Sequence, residues 1–378
     1  MASAYPGTPQ KRSRENGKAN VMTHTRLTRA LRAAAAAAVT TSLALAAAIG
    51  PAGASPQAMG ATVGPRDAVS VAAQAGSSSQ RTTLPVTAYV LDDTYSQVIP
   101  IQAATNTALS PIPLGGSPIA IAITPNGKTA YVTNGDSVTP IQTATNTALS
   151  STPVGNGPVA IAITPNGKTA YVVNQGSDTI TPIQTATNTA LSPIPVGNGP
   201  VAIAITPNGK TAYVTNNGSG SVTPIRTATN TALTQIPVLP GPFAIAITPN
   251  GNTAYVVDDG SGTVTPIRTA TNTAVSPIPV GPFPGVIAIT PNGKTAYVAN
   301  DFAGTIAPIR TATNTALTQI PVGPDPDAIA ITPNGNTAYV ADYDVGSVTP
   351  IRTATNTALT AISFGYPFHS LVAIAITP

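Results

Sequence analysis

A-I-A-I-T-P-N-G-K-T-A-Y-V-V-N-Q-G-S-D-T-I-T-P-I-Q-T-A-T-N-T-A-L-S-P-I-P-V-G, residues 160–197, is one copy of a phrase that recurs along most of the chain. Its tyrosine, Tyr171, has counterparts at Tyr89, Tyr131, Tyr213, Tyr255, Tyr297 and Tyr339, spaced by 40 or 42 residues throughout. A period in the forties made of short extended runs marks a β-propeller. The repeat also starts out of phase. It opens at the A-Y-V of one copy (Ala88) and closes on a lone A-I-A-I-T-P at residues 373–378. A closed ring needs such an offset when one blade takes strands from both termini. The expectation is therefore an all-β, seven-bladed propeller whose first blade is completed by residues 373–377.

Each copy reads as four antiparallel strands, a to d. The A-I-A-I-T run alternates small and branched residues with period two, which suits strand a. Pro165-Asn166-Gly167 is a tight turn, with proline presetting φ and Asn-Gly tolerating positive φ. T-A-Y-V-x-N returns as strand b. A Gly/Asp/Ser loop leads into V-T-P-I-R-T, strand c. Its internal proline has no N–H for a ladder, so that side must be left unpaired or bulged. A-T-N-T then turns the chain into strand d. Alanines in strand a let seven strands crowd an axis, and its isoleucines pack between sheets at roughly 1.5–3 kcal/mol each.

Ahead of the repeats, residues 1–54 read as a secretory signal of the Sec type. A basic n-region ends at Arg32, an Ala-rich apolar run follows, and Ala52-Gly53-Ala54 forms the cleavage site. Met22 is a more ordinary start than Met1. The apolar run is too short and too rich in Ala for a comfortable membrane span, so no span is expected after cleavage. Residues 55–84, rich in Ala, Ser, Gly and Gln, read as a flexible tether, and residues 85–378 as the propeller. A secreted or envelope location follows. The pI of 9.3 belongs to the leader, which holds seven of the 17 Lys and Arg and one of the 13 acids. The remainder carries 10 basic and 12 acidic residues, an even balance that gives no argument for nucleic acid.

Tyr131-Val132-Thr133-Asn134 and Tyr213-Val214-Thr215-Asn216 spell Y-V-T-N. With the P-N-G-K-T-A-Y-V and A-T-N-T-A-L phrases, the chain from Thr87 onward resembles the YVTN-repeat (YncE-like) propellers of bacterial exported and archaeal surface-layer proteins. The resemblance implies the fold. It also implies kinship with lactonase and lyase propellers, and with members that bind DNA. One departure is consistent. Where the family carries Asp, this chain has Gln102, Gln142, Gln184, Arg226, Arg268, Arg310 and Arg352.

Sorting charges by loop divides the disc. All acids of the repeats fall in b–c or d–a loops, on one face, and all bases fall at the a–b turns or the end of strand c, on the other. The aromatics that are not part of the repeat phrase follow the acids. Individuality is thus confined to one face, where a rigid scaffold usually carries its function. The candidate ligand- or partner-binding residues are Asp92, Asp93, Asp258, Asp259, Asp301, Phe302, Asp325, Asp327, Asp342, Tyr343, Asp344, Phe368 and His369. Arg226, Arg268, Arg310 and Arg352 form the alternative, an arc for a polyanion.

Chemistry is sparse. Beyond the leader there is no Cys, Glu or Trp, and His369 is the one histidine, which removes triads, thiolate sites and His-rich zinc sites. Asp327 stands alone among Ile119, Val159, Val201 and Val372 at the start of strand a, and a lone Asp does not make a metal cage. The expectation is a monomeric, non-catalytic scaffold without cofactor that binds an envelope component, protein or small ligand. Ca²⁺ is the cation that paired acids would take. A metal-dependent lactonase or lyase, and polyanion or DNA binding through the basic face, stay open as alternatives.

Overall fold

The computed structural model describes residues 71–73, 87–102, 105, 107–343 and 345–363. They form seven antiparallel sheets arranged as the blades of a propeller. Blade 3 is representative: strand a at Pro158–Ile163, b at Thr169–Asn174, c at Thr179–Gln184, and d broken into Thr189–Ala190 and Ile194–Pro195. Both pieces of d pair with strand c. The proline in strand c explains the break. Pro182 accepts one bond from the Leu191 N–H on that side (2.8 Å), but it has no N–H to return, so the c–d ladder is interrupted.

The alternation along each strand is what joins the blades. The Ala–Tyr face of blade 2 (Ala120, Ala122, Tyr131, Val138) packs with the Ile–Val face of blade 3 (Ile161, Ile163, Val172, Ile183). Blades 4 and 5 repeat this contact with Ala202, Ala204 and Tyr213 against Ile245, Ile247 and Val256. Six of the repeat tyrosines, buried in these seams, donate their hydroxyls to an asparagine in the c–d turn of the next blade. Tyr171 to Asn230 and Tyr213 to Asn272 are examples, both at 2.6 Å. Burial pushes these phenols up to about 12. The asparagine sits at positive φ (53° at Asn272), a conformation Asn tolerates better than most residues.

Blade 1 differs from expectation at its inner edge. Val71–Ala73, inside the stretch read as a tether, pair antiparallel with Thr87–Asp92. Residues 373–377, expected in that place, lie outside the described residues, as do the leader, Asp344, Phe368 and His369. Backbone pairing at an open edge requires only an extended segment, which is why a second stretch of the chain can serve. Among the described residues no helix is long and apolar enough to cross a membrane.

One irregularity matters for the site. Near its start, strand a carries a bulge in blades 2 to 7. In blade 7, Pro326 pairs with Asp342 and Ala328 with Ala341, leaving Asp327 as the extra residue. The same place holds Ile119, Val159, Val201, Phe243 and Gly285 in blades 2 to 6. A bulge re-aims the side chain it carries.

Candidate active site

Among the described residues, the b–c loop of a blade lies against the d–a loop that leads into the next. Asp136 Oδ1 accepts from Gly157 N–H (3.0 Å), and Asp178 Oδ1 accepts from Gly199 N–H (2.7 Å). In blades 6 and 7 this juxtaposition joins acids. Asp325 N–H, in the loop entering blade 7, donates to the carbonyl of Asp301, in the b–c loop of blade 6, at 3.2 Å. Asp327 follows on the bulge. The carboxylates of Asp301, Asp325 and Asp327 converge, each offering an oxygen within 4.8 Å of the others. Asp325 and Asp327 are buried, while Asp301 is half-buried. Among the described residues this is the one group of His, Cys, Asp or Glu placed to hold a metal ion. Asp327 is therefore not alone, contrary to the sequence expectation. Its partners come from another loop and another copy.

Gly285 makes room for the cluster. A Cβ there would lie 2.8 Å from Asp301 Oδ1 and 3.0 Å from Oδ2, closer than such contacts occur. Blades 3 and 4 hold valine at this place, which would push the carboxylate aside. Beside it, Phe283 and Phe302 stack edge to face, with centroids 5.2 Å apart and planes at 73°. Both rings remain well exposed. Asp301 N–H donates to the Phe283 carbonyl at 3.0 Å, which ties the aromatic pair to the acids. Phe283 and Asp325 occupy equivalent places with φ of 53° and 55°, where blades 3 to 5 use Gly157, Gly199 and Gly241. For a bulky side chain this left-handed backbone is strained, and such residues cluster at functional sites.

Other candidates are placed elsewhere. Asp258 and Asp342, expected on the loop surface, are fully buried at the end of strand b. Blades 2, 3, 4 and 6 have Asn134, Asn174, Asn216 and Asn300 in that place. Asp258 accepts from Thr265 (2.5 Å) and Thr263 (3.3 Å), and Asp342 from Ser347 (2.8 Å) and Thr349 (3.0 Å). Burial raises the Asp258 carboxyl to about 7 against these bonds, and it raises Asp342 in the same direction. The loop assignment failed because the sheet runs one residue past the apolar stretch, so strand b ends on a polar side chain turned inward. Asp92 caps its own turn, accepting from Tyr95 N–H (3.1 Å) and Gln97 Nε2 (2.7 Å). Asp93 and Asp259 lie on the acidic side, away from any such cluster. Tyr343, half-buried, donates its N–H to the Asp325 carbonyl (2.9 Å) and so braces the site. Arg226, Arg268, Arg310 and Arg352 are exposed at the ends of strand c, on the opposite face. A cavity of about 450 Å³ on the outer rim, between blades 4 and 5, is lined by residues such as Leu233, Gln235 and Asn272 and offers no titratable side chain.

Residues 128–236 match the family described as Lactonase, 7-bladed beta-propeller. No curated protein sequence matches the chain. Among solved structures, a putative 6-phosphogluconolactonase from Bacteroides fragilis superposes with a TM-score of 0.58 at 20% identity, covering 79% of this chain and 95% of its own. Kuenenia stuttgartiensis hydrazine synthase gives 0.60 at 24% identity, covering 71% and 92%. A functionally unknown protein from Desulfotomaculum acetoxidans gives 0.59 at 18%, covering 75% and 97%. At these identities the structural likeness speaks for the fold. The chain is a β-propeller. The family match corrects the expectation of a non-enzyme, because the matched family is one of lactonases. Asp327 was expected to stand alone, and instead its carboxylate lies beside those of Asp301 and Asp325.

Proposed function

We infer that the protein hydrolyses lactones at the cluster of Asp301, Asp325 and Asp327. The convergence of three carboxylates at the mouth of the disc carries this reading, and the lactonase family match supports it. An all-oxygen donor set of this kind suits a hard divalent cation such as Ca²⁺ or Mg²⁺. The space left by Gly285 lets the Asp301 carboxylate lie beside the other two. Such a cation would polarise the lactone carbonyl. Asp325 and Asp327, the buried pair, are the holding carboxylates. Asp301, the half-buried member, takes the proton of the attacking water. The water oxygen bonds to the carbonyl carbon, the acyl–oxygen ring bond breaks, and the proton passes to the departing ring oxygen, leaving a hydroxy acid.

The surroundings favour an uncharged lactone with an apolar substituent. Phe283 and Phe302 offer a ring surface beside the acids, and every Lys and Arg of the repeats lies on the other face, so the carboxylate or phosphate of an anionic substrate would find no basic side chain here. The test is ring opening by the purified full chain, followed by titration of released acid across a panel of γ- and δ-lactones, with Ca²⁺, Mg²⁺ or Mn²⁺ added or chelated. Asp327→Asn should lower turnover by a factor of about 100 or more, in line with loss of a metal or electrostatic contribution. Phe302→Ala should raise KM about tenfold for substituted lactones and spare unsubstituted ones. Wild-type protein that opens no lactone with any of these cations would overturn the reading.

A further inference from the structure

The face opposite the acids has a role of its own. It carries Lys128, Lys168, Lys210 and Lys294 in the a–b turns, and Arg226, Arg268, Arg310 and Arg352 at the ends of strand c. All eight are exposed. None of the seven copies has an acid in these turns to neutralise them. Equivalent places in ring-related blades lie at one level, so the charges share a plane.

The plane is rigid. Neighbouring a–b turns abut: a Cβ on Gly209 would sit 3.3 Å from the Pro165 ring, and Gly167, Gly251 and Gly293 meet Pro125, Pro207 and Pro249 in the same way. Within a blade the two turns are bonded to each other, as by Thr227 N–H to the Lys210 carbonyl at 3.1 Å. The arginines are not there for the fold. Blades 1 to 3 have Gln102, Gln142 and Gln184 in the same place, where Gln142 merely accepts from Thr145 in its own turn (3.3 Å).

We propose that this basic face docks the disc on an anionic phospholipid bilayer. A flat array of unpaired cations complements a flat anionic surface. Single-stranded nucleic acid is the poorer fit, since the non-repeat aromatics that could stack bases are on the far side. Docked in this way, the acid mouth faces water. The inference does not depend on the lactonase reading.

The experiment is sedimentation of the full chain with phosphatidylglycerol-containing vesicles, against vesicles of phosphatidylcholine alone. Each basic residue near such a surface contributes roughly fivefold in partitioning. The combined Arg226→Gln, Arg268→Gln, Arg310→Gln and Arg352→Gln variant should therefore bind several hundredfold more weakly, with an unchanged melting curve. The basic leader is common to both proteins and cancels in the comparison. Binding should vanish at about 1 M salt, where the screening length is about 3 Å, and Asp327→Asn should bind like wild type. Equal binding by the quadruple variant, or binding to phosphatidylcholine alone, would overturn the proposal. So would a duplex DNA fragment held as tightly as the vesicles and weakened equally by the substitutions.

Discussion

Asp258→Asn should stabilise the protein, and by more as the pH rises. The carboxyl is fully buried and lifted from 3.8 to about 7, with burial the leading cause and hydrogen bonds from Thr265 and Thr263 opposing it. A raised acid favours the protonated fold. Its contribution is complete below pH 3.8 and is lost as pH climbs to about 7, because the folded chain holds a proton that the unfolded chain releases. That interval corresponds to roughly 4 kcal/mol at and above neutrality. Asparagine fits without repacking. In blade 3, Asn174 Nδ2 donates to the equivalent threonines, Thr179 (3.1 Å) and Thr181 (2.8 Å). Thermal melts of wild type and Asp258→Asn at pH 4, 6 and 8 check this. The two curves should nearly coincide at pH 4 and stand apart by about 5–10 °C at pH 8. A gap that is constant with pH, or a variant less stable at pH 8, would refute the argument that the cost comes from ionising this carboxyl.

Four further outcomes are expected. Tyr213→Phe deletes the hydroxyl that bonds to Asn272 and should cost about 1 kcal/mol. Asn272→Ala should cost about twice as much as Asn272→Gly, since only alanine also pays for positive φ, as urea titration of each variant would measure. Gly285→Val should leave the melting temperature near wild type, because blades 3 and 4 tolerate valine there, but cut lactone turnover about 100-fold by displacing Asp301. Phe283→Gly and Asp325→Gly should each relieve about 1 kcal/mol of backbone strain, read as a smaller loss of stability than alanine gives at the same place. Asp325→Gly should be inactive all the same.

The tyrosine period and the P-N-G turn made the blades legible because both are enforced in every copy. The turn glycines do sit at positive φ, 70° at Gly167, and the strand-c proline does break the next ladder. Two things were hidden. A polar residue closing strand b reads as loop whether it points in or out, so Asp258 and Asp342 looked like surface acids. The second was the three-acid group, split over copies: Asp301 lies more than twenty residues before Asp325. Only the lateral contact between one blade's b–c loop and the next blade's entry loop brings them together. The clue was present in Gly285, the one place in that column without a side chain.

Strain gives the strongest reason to set blades 6 and 7 apart from blades 3, 4 and 5. A repeat protein has a cheap answer at the turn before strand a, and blades 3, 4 and 5 use it: glycine, with φ of 61°, 61° and 77°. Phe283 and Asp325 take the same backbone without glycine's freedom, at a cost of about 1 kcal/mol or more each. Neither gains a compensating core. The Phe283 ring stays exposed against Phe302, and the Asp325 carboxylate is pressed toward two others. Stability alone would restore glycine at both places. Both departures fall in one patch, beside the acid cluster, and at Phe283 and Asp325 the backbone carries a conformational cost that glycine avoids.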